Sequence, residues 1–196
     1  MITLDLSASA PALLVVDMQV AFVHPDGAFG NDAGALIESL NGFLAACRDR
    51  RVPVVFSNYV LRADLLDSGL LPAAVAEHIG EGAPGIGVDP RISRAAGDVD
   101  VRHHRPSALH RSELGAVLRR LGTDALLLAG VSVNNAISAT ARDAFAHDIP
   151  ALVVRDCVGA APWESEANED TYFEILATWT AEVAESSDVL SRLDAR

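Results

Sequence analysis

Short, continuously apolar runs alternate along the chain with longer stretches of mixed polar and apolar residues. The apolar runs lie at residues 11–17, 52–57, 99–101, 125–129 and 151–154. Continuous apolar runs of this length are typical of parallel strands that are buried on both faces. The stretches at about 32–48, 113–121 and 135–147, and from about 164, have the spacing of helices. This alternation predicts an α/β fold with a central, mostly parallel sheet.

One long segment interrupts the alternation. Between residues 59 and 90 glycine and proline are frequent, which predicts a long loop with short helical turns. Loops of this length often cover an active site. No internal repeat or linker divides the chain, so we expect a single domain over residues 1–196.

The composition limits the classes of partner. A formal net charge of −12 would repel the phosphate backbone of nucleic acids. Hydrophobic residues make up 50% of the chain but form no continuous run of membrane length, and the N-terminus lacks a secretory signal pattern. We therefore expect a cytoplasmic protein that binds neither nucleic acid nor membranes. Its two cysteines, Cys47 and Cys157, are expected to be free thiols in that reducing compartment.

Asp17 is the first candidate for chemistry. It ends the first apolar run, at the edge where open α/β sheets bind their ligands. A carboxyl group at such a position can act as a general acid or base. Asp17 fits equally well as a turn residue whose carboxylate binds nearby backbone N–H groups. Gln19 and Phe22, just beyond it, are candidates for contacts with a substrate.

Histidines form the second candidate group. His103, His104 and His110 lie within eight residues, after a strand-like run. Such a cluster can bind a metal ion or move protons. In an extended chain, however, the adjacent His103 and His104 point to opposite sides and chelate poorly. We therefore expect no metal site here, but one catalytic or substrate-binding histidine.

The third candidate is the segment 130–137, which connects an apolar run to a helical stretch. Backbone N–H groups at such a helix N-terminus can stabilise an oxyanion or hold a carboxylate. Asn134 and Asn135 fit equally well as ordinary helix caps with no further role. The position after a central strand favours a functional site.

Together the three segments resemble the isochorismatase-like superfamily, also called the cysteine hydrolases, over nearly the whole chain. The matching segments are VVDMQ at 15–19, HHRPSALHRSEL at 103–114 and GVSVNNAISATARDA at 130–144. The resemblance implies a three-layer α/β/α, Rossmann-like fold in which Asp17 is the first catalytic residue. It places His103 at the position of the family's catalytic lysine and Ala136 at that of its nucleophilic cysteine.

By the same resemblance, the Val131–Ser132 peptide bond is cis and the amides of Ser132 and Ala136 form an oxyanion hole. These backbone donors do not depend on the side chain at 136, but alanine cannot form a thioester. Cys157 lies at the end of a different strand and is a poor substitute. The segment 58–62 lacks the Asp-x-His pattern of the metal-binding nicotinamidases, so we expect no metal and no other cofactor.

The resemblance also includes a branch that works without the cysteine. Isochorismatases of this family have glycine, another small residue, at the nucleophile position. They protonate a vinyl ether with the strand-end aspartic acid and add water. These enzymes retain the lysine that His103 replaces here, which argues against isochorismate as the substrate.

Three hypotheses for the function stay open. The first is a hydrolase or lyase that acts noncovalently on a small, anionic or carbonyl-bearing molecule. In it Asp17 is the acid or base, and His103 is a second proton-transfer or charge-stabilising group. The second is a catalytically silent family member that uses the cavity for binding or scaffolding. The third is a cysteine amidase with an engineered change to Ala136, against which the loss of the lysine argues.

Further residues are expected to contact the substrate. They are Tyr59, Asn135, Trp163 and Arg62, whose guanidinium suits a carboxylate. Family members commonly form dimers or tetramers. The resemblance therefore implies a homodimer or homotetramer acting on a small-molecule substrate.

Overall fold

A computed structural model describes residues 2–30, 32–160 and 166–195. Its strands are β1 (Pro11–Val16), β2 (Val54–Tyr59), β3 (Val99–His103), β4 (Ala125–Val131), β5 (Ala151–Gly159) and β6 (Glu182–Ala184). They form one sheet in the order β3-β2-β1-β4-β5-β6, and every neighbouring pair is parallel. The α/β fold with a parallel central sheet is confirmed.

Helices cover both faces of this sheet, which gives three layers. They are α1 (Val20–Val23), α2 (Gly34–Asp49), α3 (Ala73–Ile79), α4 (Leu114–Leu121), α5 (Ser138–Ala146), α6 (Glu166–Trp179) and α7 (Ser186–Asp194). One core layer lies between the sheet and helices α2 and α7, and the other lies between the sheet and helices α4, α5 and α6. No helix in the described ranges is long and apolar enough to cross a membrane.

The strand order determines where a ligand can bind. The chain winds outward from β1 in one direction through β2 and β3, and in the other through β4 to β6. Between β1 and β4, where the direction reverses, such sheets open a crevice at the carboxyl ends of the strands. Val16, the last residue of β1, pairs with Gly130 near the end of β4. Asp17 and Ser132 therefore meet at this edge.

The C-terminal region departs from the sequence prediction. The helical stretch expected from about residue 164 is divided by β6 and ends as the separate helix α7. After Trp179 the chain turns, because the N–H groups of Thr180 and Ala181 both bind the carbonyl of Leu176. Strand β6 has only three residues, all half-buried. Such a short segment has too little periodicity to be distinguished from a helix by its pattern.

Candidate active site

Asp17 directly follows β1 and has a left-handed backbone conformation, with φ of 54°. Aspartate is among the residues that tolerate this region best. Its N–H donates to the carbonyl of Ser57 in β2 at 2.9 Å, which fixes the end of the strand. The residue is only 5% exposed, yet it lines a cavity at the edge of the sheet. The end of β1 thus presents a nearly buried carboxyl group to that cavity.

His103, the last residue of β3, contacts Asp17 but does not line the cavity. Its Nε2 lies 2.8 Å from Oδ1 of Asp17, and its ring packs against that of Tyr59 with centroids 5.0 Å apart. The backbone N–H of Tyr59 donates to the same Oδ1 at 3.0 Å. Within the described part of the chain both donors reach Oδ1, which leaves Oδ2 for the cavity.

His103, expected from the sequence to be a catalytic or substrate-binding residue, does not line the cavity. Its side chain is fully buried. Asp17 and the ring of Tyr59 pack against it and separate it from a ligand. His103 therefore reaches the cavity only through its contacts with Asp17 and Tyr59.

The hydrogen bonds of His103 define how many protons it shares with Asp17. Nδ1 lies 2.6 Å from the carbonyl oxygen of Arg105, which can only accept, so Nδ1 carries a proton. The contact between Nε2 and Oδ1 holds a second proton. Burial lowers the pKa of His103, but the Asp17 carboxylate and the Arg105 carbonyl outweigh burial and raise it above the ordinary value of 6.5. With these two protons the pair is neutral overall.

This raised pKa predicts a pH dependence of stability. Because the folded protein holds the proton of His103 more tightly than the unfolded chain, the stabilisation is complete below pH 6.5 and is lost as the pH rises through the folded pKa. The difference in unfolding free energy between the wild type and His103→Gln should therefore shrink from pH 6 to pH 9. Urea titrations at several pH values measure it.

His104→Gln is the matched control for the pH dependence of His103→Gln. Burial and the nearby Arg105 lower the pKa of this half-buried neighbour below 6.5. Its contribution therefore has the opposite sign: stability rises with pH up to 6.5 and is constant above it. A His103→Gln difference that grows with pH would contradict the assigned protonation of the pair.

The turn after β4 forms the opposite half of the site. The Val131–Ser132 peptide bond is cis, as the resemblance implied. A single π-helical turn at Val133–Ile137 follows and leads into α5. Ser132, Asn135 and Ala136 all line the same cavity as Asp17. The N–H of Ala136 belongs to the first turn, where backbone donors point out of a helix N-terminus.

The cavity has a volume of about 360 Å³, within the roughly 300–1,000 Å³ typical of small-molecule sites. Its polar groups come mainly from the ends of β1 and β2 and from the turn after β4. Helices α1 and α3 and the loops beside them supply apolar side chains. The polar lining residues are Asp17, Tyr59, Ser132, Asn134 and Asn135, and the apolar ones are Phe22, Phe29, Leu71, Val75, Ile79, Val131, Ala136 and Ala160.

Two residues expected to bind a substrate lie outside the lining of the cavity. Gln19 is fully buried: its Oε1 accepts from the N–H of Tyr59, and its Nε2 donates to the carbonyls of Tyr59 and Ile86. It therefore fixes the end of β2 instead of facing a ligand. Arg62 is largely exposed and paired with Asp64, two residues further on. Trp163, which was also expected to contact the substrate, lies outside the described residues.

The apolar wall of the cavity was not predicted from the sequence. Leu71, Val75 and Ile79 follow one another at intervals of four residues within the segment expected to be mostly loop. That spacing places side chains on one face of a helix and was the available signal. Phe29 stacks on Phe22, with ring centroids 5.7 Å apart, and extends the same wall.

Comparison with known proteins places the chain among hydrolases. Residues 11–188 match the family model of the isochorismatase domain. Among curated proteins, the maleamate amidohydrolase of Pseudomonas putida is 30% identical over 189 residues, which cover 94% of this chain and 84% of the relative.

Solved structures share the fold over nearly the whole chain. A cysteine hydrolase from Pseudomonas syringae superposes with a TM-score of 0.88 at 22% identity, covering 98% of this chain and 95% of the other. The N-carbamoylsarcosine amidase of Thermoplasma acidophilum gives a TM-score of 0.74 at 27% identity, covering 90% and 96%. At 22% identity the first of these likenesses concerns the fold alone.

Proposed function

The chain belongs to the isochorismatase family of hydrolases, and on this basis we propose that it hydrolyses a small carbonyl-bearing molecule without a covalent intermediate. One observation carries the proposal: Asp17 lines the same cavity as Ala136, the residue that the resemblance puts at the family's nucleophile position. The site thus keeps its acid–base residue but has only a methyl group where a thiolate would attack. Water is left as the nucleophile.

In the proposed reaction Asp17 acts first as a base and then as an acid. Oδ2 takes a proton from a water molecule while the water oxygen forms a bond to the carbonyl carbon. The electron pair of the C=O bond moves to its oxygen, where the N–H groups of Ser132 and Ala136 stabilise the charge. That electron pair then re-forms the C=O bond, the bond to the leaving nitrogen or oxygen breaks with its own pair going to the leaving atom, and this atom takes the proton from Asp17. The products are a carboxylic acid and an amine or alcohol.

In this proposal His103 positions Asp17 and supplies the positive charge beside it. As an imidazolium, it donates to Oδ1 and leaves Oδ2 to accept a proton. A lysine at this position would supply a fixed charge, whereas His103 supplies one that titrates with its raised pKa. Activity should therefore decline at high pH, as the imidazolium loses its proton.

Neither cysteine of the chain fits the role of nucleophile. Burial raises the pKa of the Cys47 thiol to about 12 and raises that of Cys157 as well. Both thiols are fully buried in the core layer between the sheet and helices α2 and α7. A covalent route through either would require the core to open.

A catalytically silent binding protein is the second candidate, favoured by the same methyl group at Ala136. The two candidates differ in turnover. A panel of primary amides and esters, assayed for release of acid, should contain compounds that the purified protein hydrolyses. The protein quenched during turnover should show no added acyl mass in intact mass spectrometry. An acyl adduct would refute the noncovalent route, and a panel with no hydrolysis would support the silent alternative.

Restoring a thiol tests whether the nucleophile position faces the cavity. We expect Ala136→Cys to react with iodoacetamide about tenfold faster than Ala160→Cys, the matched control on the same cavity, because the helix N-terminus lowers the thiol pKa by about one unit. The wild type should be inert, since its own two thiols are buried. Mass spectrometry of timed samples measures the rates. Equal rates for the two variants would contradict the proposed geometry.

A further inference from the structure

One wall of the cavity is made of hydrocarbon. Leu71, Val75 and Ile79 present aliphatic side chains along α3 and the residues before it, and Phe22 and Phe29 continue this surface with stacked aromatic rings. Such a wall gains free energy only from apolar parts of a ligand. One end of the site can therefore hold a carbonyl group, and the other a hydrocarbon body.

No cation in the described ranges lines this cavity. The nearest arginines of the surrounding loops are already engaged. Arg62 pairs with Asp64, and the guanidinium of Arg105 donates to the carbonyls of Asp67 and His104. The chain contains no lysine, and residues 161–165, which lie outside the described ranges, include neither arginine nor lysine.

The remaining ionisable groups in and next to the cavity carry no net positive charge that could bind an anion. The carboxylate of Asp17 and the imidazolium of His103 neutralise each other. Burial raises the pKa of Tyr59 to about 12, so its side chain stays neutral. A carboxylate or phosphate held against the hydrocarbon wall would have to give up water without gaining a cationic partner, which weakens its binding.

From this arrangement we propose that the site selects uncharged amides or esters with an apolar body and rejects their anionic analogues. This specificity rests on the proposed function, because it takes the reacting end of the substrate to be a carbonyl group. Of the two substrate classes expected from the sequence, anionic or carbonyl-bearing, it keeps only the second. The selection comes from the apolar wall and the missing cation, and is therefore independent of turnover.

The test compares butanamide, pentanamide and hexanamide with adipamate, which is hexanamide with its terminal methyl group replaced by a carboxylate. Calorimetric titration of the wild type and of Asp17→Asn measures binding. We expect Kd to fall about fourfold for each added methylene and adipamate to bind at least about 100-fold more weakly than hexanamide. Adipamate binding as tightly as hexanamide would overturn the inference.

A cation placed in the wall should reverse the preference. Val75 is half-buried and lines the cavity, whereas Ala74 is exposed on the same helix and does not. Val75→Arg should strengthen adipamate binding at least about tenfold, and the matched control Ala74→Arg should leave it within twofold of wild type. Equal effects of the two variants would overturn the assignment of this wall to the substrate.

The two proposals can fail separately. A protein that binds hexanamide with the expected preference but never hydrolyses an amide or ester supports the specificity and refutes the proposed function. A protein that hydrolyses adipamate faster than hexanamide supports the proposed function and refutes the specificity.

Discussion

Asp17→Asn should lower kcat by about 10²–10⁴-fold for any compound of the panel that the wild type hydrolyses. Asparagine has the same shape and also tolerates the left-handed backbone at this position. Its amide cannot accept the proton of an attacking water, so the transition state loses its base. KM should change little, because the apolar wall is intact. Steady-state kinetics on purified protein gives both constants.

The variant also disturbs the contact with His103, and this effect must be separated from the loss of the base. The hydrogen bond from Nε2 to Oδ1 is weakened, which should cost about 1–3 kcal/mol of unfolding free energy. Typical domains have an unfolding free energy of about 5–15 kcal/mol, so the variant should stay folded. The matched control is Asp194→Asn on α7. Asp194 is exposed and does not line the cavity. The control should retain full activity, and an Asp17→Asn variant as active as this control would refute the mechanism.

Gly130→Ala should remove about 3–5 kcal/mol of unfolding free energy and abolish activity. Gly130 has φ of 111°, a region that strains any residue with a side chain. A Cβ there would lie 2.1 Å from the carbonyl oxygen of Val16 in the neighbouring strand. Strands β1 and β4 would have to move apart, and Asp17 would move with β1. Urea denaturation and the activity assay measure the two effects.

Gly122→Ala separates the strain of the backbone from the clash. Gly122 also has a positive φ, of 67°, but a Cβ there would meet nothing within 4 Å. It should cost only the roughly 1–2 kcal/mol of the left-handed conformation and leave activity unchanged. If both alanine variants lost the same stability, the close approach of the two strand ends would not be what requires glycine at 130.

The sequence was sufficient to predict the part of the site that depends on strand ends. Asp17 ends an apolar run and Ser132 follows another, and in a parallel sheet such ends share one edge. This inference needs only the pattern of buried strands and their direction. His103 ends β3 and is buried, whereas His104, the residue after the strand, is half-buried.

What the pattern could not determine is which groups stand between a side chain and the cavity. His103 is on the correct side of the strand, but Asp17 and Tyr59 lie between it and the cavity. That arrangement depends on the packing of three separate strands. Arg62 illustrates a local signal that was overlooked. Asp64, two residues further on, is close enough in sequence to bind its guanidinium.

The most direct test of the noncovalent mechanism is a single turnover in water enriched in ¹⁸O, with the protein in excess over a panel amide that it hydrolyses. Direct attack by water predicts one ¹⁸O atom in the acid from the first turnover and none in the peptide that contains Asp17. If the first acid released instead contains only ¹⁶O and the label is found in the carboxyl group of Asp17, then Asp17 is a covalent nucleophile and the account is wrong.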